Sequence, residues 1–188
     1  YRDRTVDFFN QHIEAAVQLD CDHMVVSTGF AYLDVDAEDA FGWCAEAMGR
    51  IARKAEQEGV TLAVEPFTKY TTHICNEASQ LRRLLRTVNS PRLTGLADTD
   101  VIATTAVDTF STFLDVIGPE NLGHVHFVDG NPGGHLVPGD GVLDLDGALE
   151  KLKAIHYTGA LGLEVLDRRY VFAPEAAMKQ AMDWYKER

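Results

Sequence analysis

Two hydrophobic rhythms alternate along this chain. Short runs rich in β-branched and aliphatic residues fall at 23–27, 61–65, 93–97, 122–128 and 160–165, and each reads as a strand. Between them, apolar residues recur every three or four positions, the spacing of a helix with one buried face. The opening helix, 1–20, carries the stripe Val6, Phe9, Ile13 and Val17. A long helix at 37–58 turns Phe41, Cys44, Met48, Ile51 and Ala55 inward, with Asp36 placed to cap it and Gly59 to stop it. The segment ASQLRRLLRTV buries Leu81, Leu84 and Leu85 and leaves Arg82, Arg83 and Arg86 to water. Further helices are expected at 105–117, with the stripe Val107, Phe110, Leu114 and Ile117, and at 146–155. A last one starts at Pro174, with Met178, Met182 and Tyr185 facing inward.

Five strands, each followed by a helix, imply a parallel sheet covered by helices. An open doubly wound sheet and an arc of a (β/α)8 barrel both fit that order. The strand faces separate them. Thr61, Ala63 and Glu65 share one face with Thr94, Leu96 and Asp98, with His124 and His126, and with Gly162 and Glu164. The other face carries Leu62, Val64, Val125, Phe127, Leu161, Leu163 and Val165. An open sheet buried under helices on both sides should be apolar on both. One small, polar face and one aliphatic face point to a curled sheet with helices only outside. No GxGxxG or P-loop follows any strand, which removes the usual nucleotide-binding reading.

The 188 residues, 46% hydrophobic, suffice for one substantial core, so a single domain spanning 1–188 is expected. A net charge of −12 disfavours nucleic acid as a partner, because phosphate backbones are gripped by Lys and Arg. Cys21, Cys44 and Cys75 are odd in number and lack CxxC spacing, which fits a reducing cytoplasm rather than a disulfide framework. No apolar run approaches the roughly 20 residues of a membrane span. A small-molecule substrate is the expected partner.

The chemistry converges on the strand ends. Glu65, Asp98, His126 and Glu164 close four successive strands, each one βα unit from the next. In a barrel, all four ring the mouth where such enzymes act. Three carboxylates and an imidazole brought together repel unless a cation compensates them, so a divalent metal is implied. Mixed oxygen and nitrogen donors suit Mn²⁺ best, with Mg²⁺, Co²⁺ or Zn²⁺ also compatible. His124, deeper in its strand, reads as a packing residue, whereas His126 reads as a ligand. After it runs a loop rich in Gly, Pro, Asn and Asp, carrying His135 and turning at PGDG.

The strings VEPFTKY, NSPRLTGLADTD, GHVHFVDGNPGGHLVPGDG and GALGLEVLDRRYVFAP resemble the sugar isomerase/epimerase family of xylose-isomerase-like TIM barrels. Within it they resemble the fructosamine (fructoselysine) 3-epimerase and ketose 3-epimerase branches. The resemblance implies a partial TIM barrel of five βα units, the family's strands four to eight, with the N-terminal part absent. It implies metal ligation by Glu65, Asp98, His126 and Glu164, and a proton-transfer pair made of Glu65 and Glu164. It implies a carbohydrate substrate passing through an enediolate, with inversion at one carbon or aldose-ketose isomerisation.

Ketose 3-epimerases typically carry a second Glu where this chain has Thr71, a His where it has Val101, and an Arg where it has Pro132. The residues expected to contact substrate are therefore His73, His135, Thr71 and Arg168. Two other readings compete: a catalytically lapsed sugar-binding or regulatory protein of this fold, and an apurinic endonuclease-like metal hydrolase, which the negative charge disfavours. A closed barrel of this kind usually takes about 250 residues. The chain is therefore expected either to be a fragment of a longer protein or to cover its outer strands, near Val25 and Leu163, as a homo-oligomer.

Overall fold

The computed structural model describes residues 2–188; Tyr1, the first residue of the expected opening helix, lies outside them. Strands β1 (His23–Ser27), β2 (Thr61–Glu65), β3 (Leu93–Asp98), β4 (Leu122–His126) and β5 (Leu161–Gly162) form one sheet. All neighbours are parallel, and the order is sequential from β1 to β5. A doubly wound sheet reverses its strand order partway, whereas a barrel adds each strand beside the last. The sheet is thus a half-barrel.

The helices are α1 (Arg2–Gln18), α2 (Ala37–Glu58), α3 (Ala78–Val88), α4 (Thr99–Thr105), α5 (Phe110–Ile117), α6 (Leu145–Ala154) and α7 (Pro174–Lys186), with short 3-10 turns at Pro119–Asn121 and Arg168–Tyr170. The core lies between them and the aliphatic face of the sheet, where Leu62, Val64, Val125 and Phe127 are fully buried with Leu81, Leu84, Leu114 and Ile117. As expected, Asp36 caps α2 by accepting from Glu38 and Asp39, and Gly59 ends it in the left-handed region at φ 76°. Among the described residues, no helix is long and apolar enough to cross a membrane.

Several local expectations are corrected. The helix predicted at 105–117 begins only at Phe110, as α5, and an unpredicted helix, α4, ends at Thr105, the expected start. Asp98 caps α4 directly after β3, Ala106 ends it at φ 57°, and a Thr109/Thr112 capping box starts α5, leaving Val107 61% exposed. The fifth strand is only two residues long. As an outer strand it pairs with β4 alone, and by Leu166 the backbone bonds instead to His135 in the β4–α6 loop. Val17 is exposed and Ala16 buried in its place. Glu14 already pairs with Lys54 in the penultimate turn of α2, so Val17 reaches the end of the partner helix.

In α7 the inward face is Ala177 and Ala181 rather than Met178 and Met182, which are exposed. Small residues let the helix lie against Val137, while Tyr185 still packs on Phe127 at 5.6 Å between rings. The arginines of α3 are not simply solvated. Arg83 lies over the Phe41 ring and bonds Glu38, and Arg82 donates to the Val116 carbonyl.

The loop after β4 is folded around one buried carboxylate. Asp129 accepts from the backbone N–H groups of Gly130 (2.8 Å) and of Gly139, Gly141 and Leu143 (3.0 Å each). Hydrogen bonds to charged groups are worth about 1.5–3 kcal/mol each, and an unpaired buried donor adds a penalty. We expect Asp129→Ala to lower stability by at least roughly 3 kcal/mol in urea unfolding; a loss below about 1 kcal/mol would mean that the loop holds its shape without this carboxylate.

Candidate metal centre

Strand register brings the predicted residues together. Ser27 pairs with Glu65, Val64 with Gly95, Asp98 with His126, and His126 with Gly162, so the strands end at one mouth, with Asp98 reaching beyond Glu65. Gly162 makes room for the histidines: a Cβ there would lie 3.0 Å from His124 Nε2 and 3.3 Å from His126 Cδ2. Glu164 follows two residues later on the same face.

His126 is the hub. Its Nδ1 lies 3.2 Å from Glu65 Oε1, 3.3 Å from Glu164 Oε2 and 3.5 Å from Asp98 Oδ2. One donor atom from each of Glu65, Asp98, His126 and Glu164 falls within 4.8 Å of every other. Glu65 and His126 are 8% exposed and Asp98 1%. His124 packs edge-on against His126, with ring centroids 5.3 Å apart, as a packing residue would.

The electrostatics follow from this crowding. Burial alone pulls the His126 imidazolium down, but hydrogen bonds to Asp98, Glu164 and Glu65 outweigh it and hold the pKa up to about 11. His126 and His135 hold the Glu164 carboxyl down to about 2. Burial pushes Glu65 above the usual carboxylate range, with His126 only partly opposing it. Burial acts the same way on Asp98, yet its contacts with His126 and His135 leave it lowered.

These residues fit a divalent cation. Asp98 Oδ1 is engaged by the Asp100 and Val101 N–H groups at 2.8 Å, whereas Oδ2 is buried and accepts no well-formed hydrogen bond. Burying an oxygen that faces two further carboxylates and has only imidazole neighbours, His135 Nε2 at 3.3 Å and His126 Nδ1 at 3.5 Å, is less costly when a cation meets it. Three carboxylates and one imidazole form an oxygen-rich donor set of the kind that hard and borderline divalent ions take.

The remaining predicted residues are distributed unevenly. His135, from the loop after β4, joins the cluster: its Nε2 lies 3.3 Å from Asp98 Oδ2 and 3.4 Å from Glu164 Oε2. His73 and Thr71 lie in the loop between β2 and α3. Both ring nitrogens of His73 are buried without a hydrogen-bond partner, and the exposed Thr71 hydroxyl is 3.1 Å from that of Thr68. Arg168 is exposed in the 3-10 turn Arg168–Tyr170, and among the described residues no ion pair joins it to the cluster. Sequence reasoning overlooked Asp100, a fully buried carboxylate 2.9 Å from His135 Nδ1. Its only signal was a second Asp two positions after the strand-end Asp98.

Half-barrel, strand-end cluster and sequence agree on one class. The chain belongs to the xylose isomerase-like TIM barrel family, whose profile matches residues 1–188. A fructoselysine 3-epimerase of Shigella flexneri is 26% identical over 187 residues, 98% of this chain and 67% of that protein. A ketose 3-epimerase of Arthrobacter globiformis is 30% identical over 118 residues, 63% of this chain and 39% of that protein. In fold, the chain is similar to D-psicose 3-epimerase from Clostridium cellulolyticum H10, solved with D-tagatose. The TM-score is 0.84 at 18% identity, covering 98% of this chain and 69% of that one.

A ligating imidazole must offer a lone pair, yet His126 in the metal-free protein keeps its proton far above neutral pH. Binding a divalent cation at pH 7 should therefore release about one proton from this site, and affinity should rise up to about tenfold per pH unit from 6 to 8. Calorimetric titration with Mn²⁺ in two buffers of different ionisation enthalpy measures this. Proton-neutral binding would take His126 out of the coordination shell.

Proposed function

We propose that the protein is a divalent-metal-dependent sugar isomerase or epimerase that acts on a ketose or fructosamine-type substrate by proton transfer through an enediolate. One observation carries the reading. Glu65, at the end of β2, and Glu164, two residues beyond β5, both reach the same imidazole nitrogen of His126, at 3.2 and 3.3 Å. Two carboxylates brought from separate parts of the sheet to one point supply the pair of bases that inversion of a carbon centre requires. The names of the relatives, fructoselysine 3-epimerase and ketose 3-epimerase, favour a carbon next to a ketone.

A cation held by Glu65, Asp98, His126 and Glu164, with Mn²⁺ best suited to the donor set, would supply Lewis-acid stabilisation to the enediolate. The chain's own residues do the rest. One glutamate removes the proton α to the carbonyl from one face, and the other returns a proton to the opposite face. Return to the neighbouring carbon instead gives aldose-ketose isomerisation. His135 is assigned to a substrate hydroxyl beside Glu164, while His73 and Thr71, on the β2–α3 loop, and Arg168 are assigned to the sugar's remaining groups.

A second reading, a lapsed sugar-binding protein, is favoured by Thr71, Val101 and Pro132, which stand where ketose 3-epimerases typically carry Glu, His and Arg. Solvent-deuterium exchange at the carbon next to the carbonyl, in a panel of ketoses and fructosamines with Mn²⁺ present, separates the two. We expect exchange in the native protein and a loss of about 10³-fold or more in both Glu65→Gln and Glu164→Gln. Near-full turnover in either metal-loaded variant would overturn the two-base mechanism. Sugar binding without exchange in the native protein would favour the lapsed reading.

A further inference from the structure

Asp100 is as buried as Asp98, 1% exposed, but lies outside the four-residue cluster. It stands in the first turn of α4, where its own N–H donates to Asp98 Oδ1 at 2.8 Å. Its carboxylate faces the loop after β4. Oδ1 accepts from the Gly133 N–H, and Oδ2 accepts from the His135 N–H at 3.0 Å and lies 2.9 Å from His135 Nδ1. Among the described residues, no lysine or arginine pairs with it. The loop closes directly on this carboxylate, since a Cβ on Gly130 would collide with Asp100 Oδ1.

The backbone there is unusual. Gly133, Gly134 and His135 have φ of 97°, 109° and 48° in succession. The third position is one that glycine fills most easily, yet it carries an imidazole. A side chain kept in the left-handed region needs surroundings that over-determine it, and such positions concentrate at functional sites. Asp100 supplies those surroundings by binding both the backbone and the ring of the same residue. Asp129, the other buried carboxylate of this loop, accepts only backbone N–H groups and aims no side chain.

Asp100 Oδ2, 2.9 Å from Nδ1 and already accepting the His135 N–H, is placed to accept an Nδ1–H whether or not Nε2 also carries a proton. Nε2 then points into the site, between Asp98 Oδ2 and Glu164 Oε2. A carboxylate behind a histidine fixes its tautomer and ring orientation in this manner.

We propose that Asp100 is a positioning residue: it locks His135 with its proton on Nδ1 and Nε2 aimed at the substrate oxygen beside Glu164. The proposal rests on the isomerase/epimerase reading for what Nε2 meets, but not for how His135 is held. Asp100 therefore acts through His135 rather than on the substrate. A role confined to folding the loop would leave the two residues energetically independent in catalysis.

The test uses Asp100→Asn, His135→Gln and the double variant, with two readouts. In long-range ¹H–¹⁵N imidazole spectra of the metal-free and Zn²⁺-loaded protein, the native chain should show a slowly exchanging, downfield Nδ1–H proton of His135. Asp100→Asn should lose it. In the deuterium-exchange assay, Asp100→Asn should lower kcat/KM about 10- to 100-fold. Adding it to His135→Gln should then change little more than twofold, because the pair acts as one unit. A native protein without that proton signal, a signal that persists in Asp100→Asn, or losses that multiply in the double variant would each overturn the proposal. If the native protein exchanges no sugar proton, the epimerase reading falls and the imidazole spectra still decide the positioning claim. If Asp100→Asn does not fold, Asp100→Glu, which keeps the charge but displaces the oxygens, takes its place in both readouts.

Discussion

Charge compensation at the mouth of the half-barrel is the constraint on which this site depends. The donor atoms of Glu65, Asp98 and Glu164 converge within 4.8 Å of one another and of His126. Two like charges about 4 Å apart repel by roughly 4 kcal/mol at an effective dielectric of 20, so three ionised carboxylates held by strand register alone would strain the sheet that carries them. In the metal-free protein, two histidines answer that repulsion. His126 and His135 are held in their cationic forms up to about 11 and 12, although burial works against both. A divalent cation held by Glu65, Asp98, His126 and Glu164 would do the same work with one compact charge, with neutral His126 as a ligand.

The buried carboxylates around this point grade from scaffold to site. Asp129 gives both oxygens to backbone N–H groups and holds the loop after β4. Asp100 divides itself between that loop's backbone and the ring of His135. Asp98 uses one oxygen to start α4 and turns the other to His126 and His135 in the cluster. Glu65 and Glu164 turn toward His126. From Asp129 through Asp100 to Asp98, bonds to backbone N–H groups give way to contacts with the cluster, which is how a precise site is supported on short strand ends.

The sheet and its four strand-end residues were legible in the sequence because both depend on strong local rules. Strand period assigns faces, and the repeat of one βα unit brings Glu65, Asp98, His126 and Glu164 to the same end. What escaped depends on contacts between distant segments. A cap from Asp98 starts α4 where hydrophobic spacing shows no helix, and the break at Ala106 follows from it. The brevity of β5 reflects an outer strand with one partner. The inward face of α7 is set by how closely Ala177 and Ala181 approach Val137, so small residues won over the two methionines. His135 was expected at the site, but its left-handed backbone and its partner Asp100 were invisible for the same reason, since both depend on α4 meeting the loop after β4.

The central claim is that these four side chains close on one divalent cation. Anomalous diffraction at the manganese edge from crystals of the Mn²⁺-loaded protein tests it most directly. The account predicts a single strong peak within about 2.0–2.3 Å of carboxylate oxygens of Glu65, Asp98 and Glu164 and of a His126 ring nitrogen. Manganese bound elsewhere, or at this mouth without His126 and both glutamates, would contradict it.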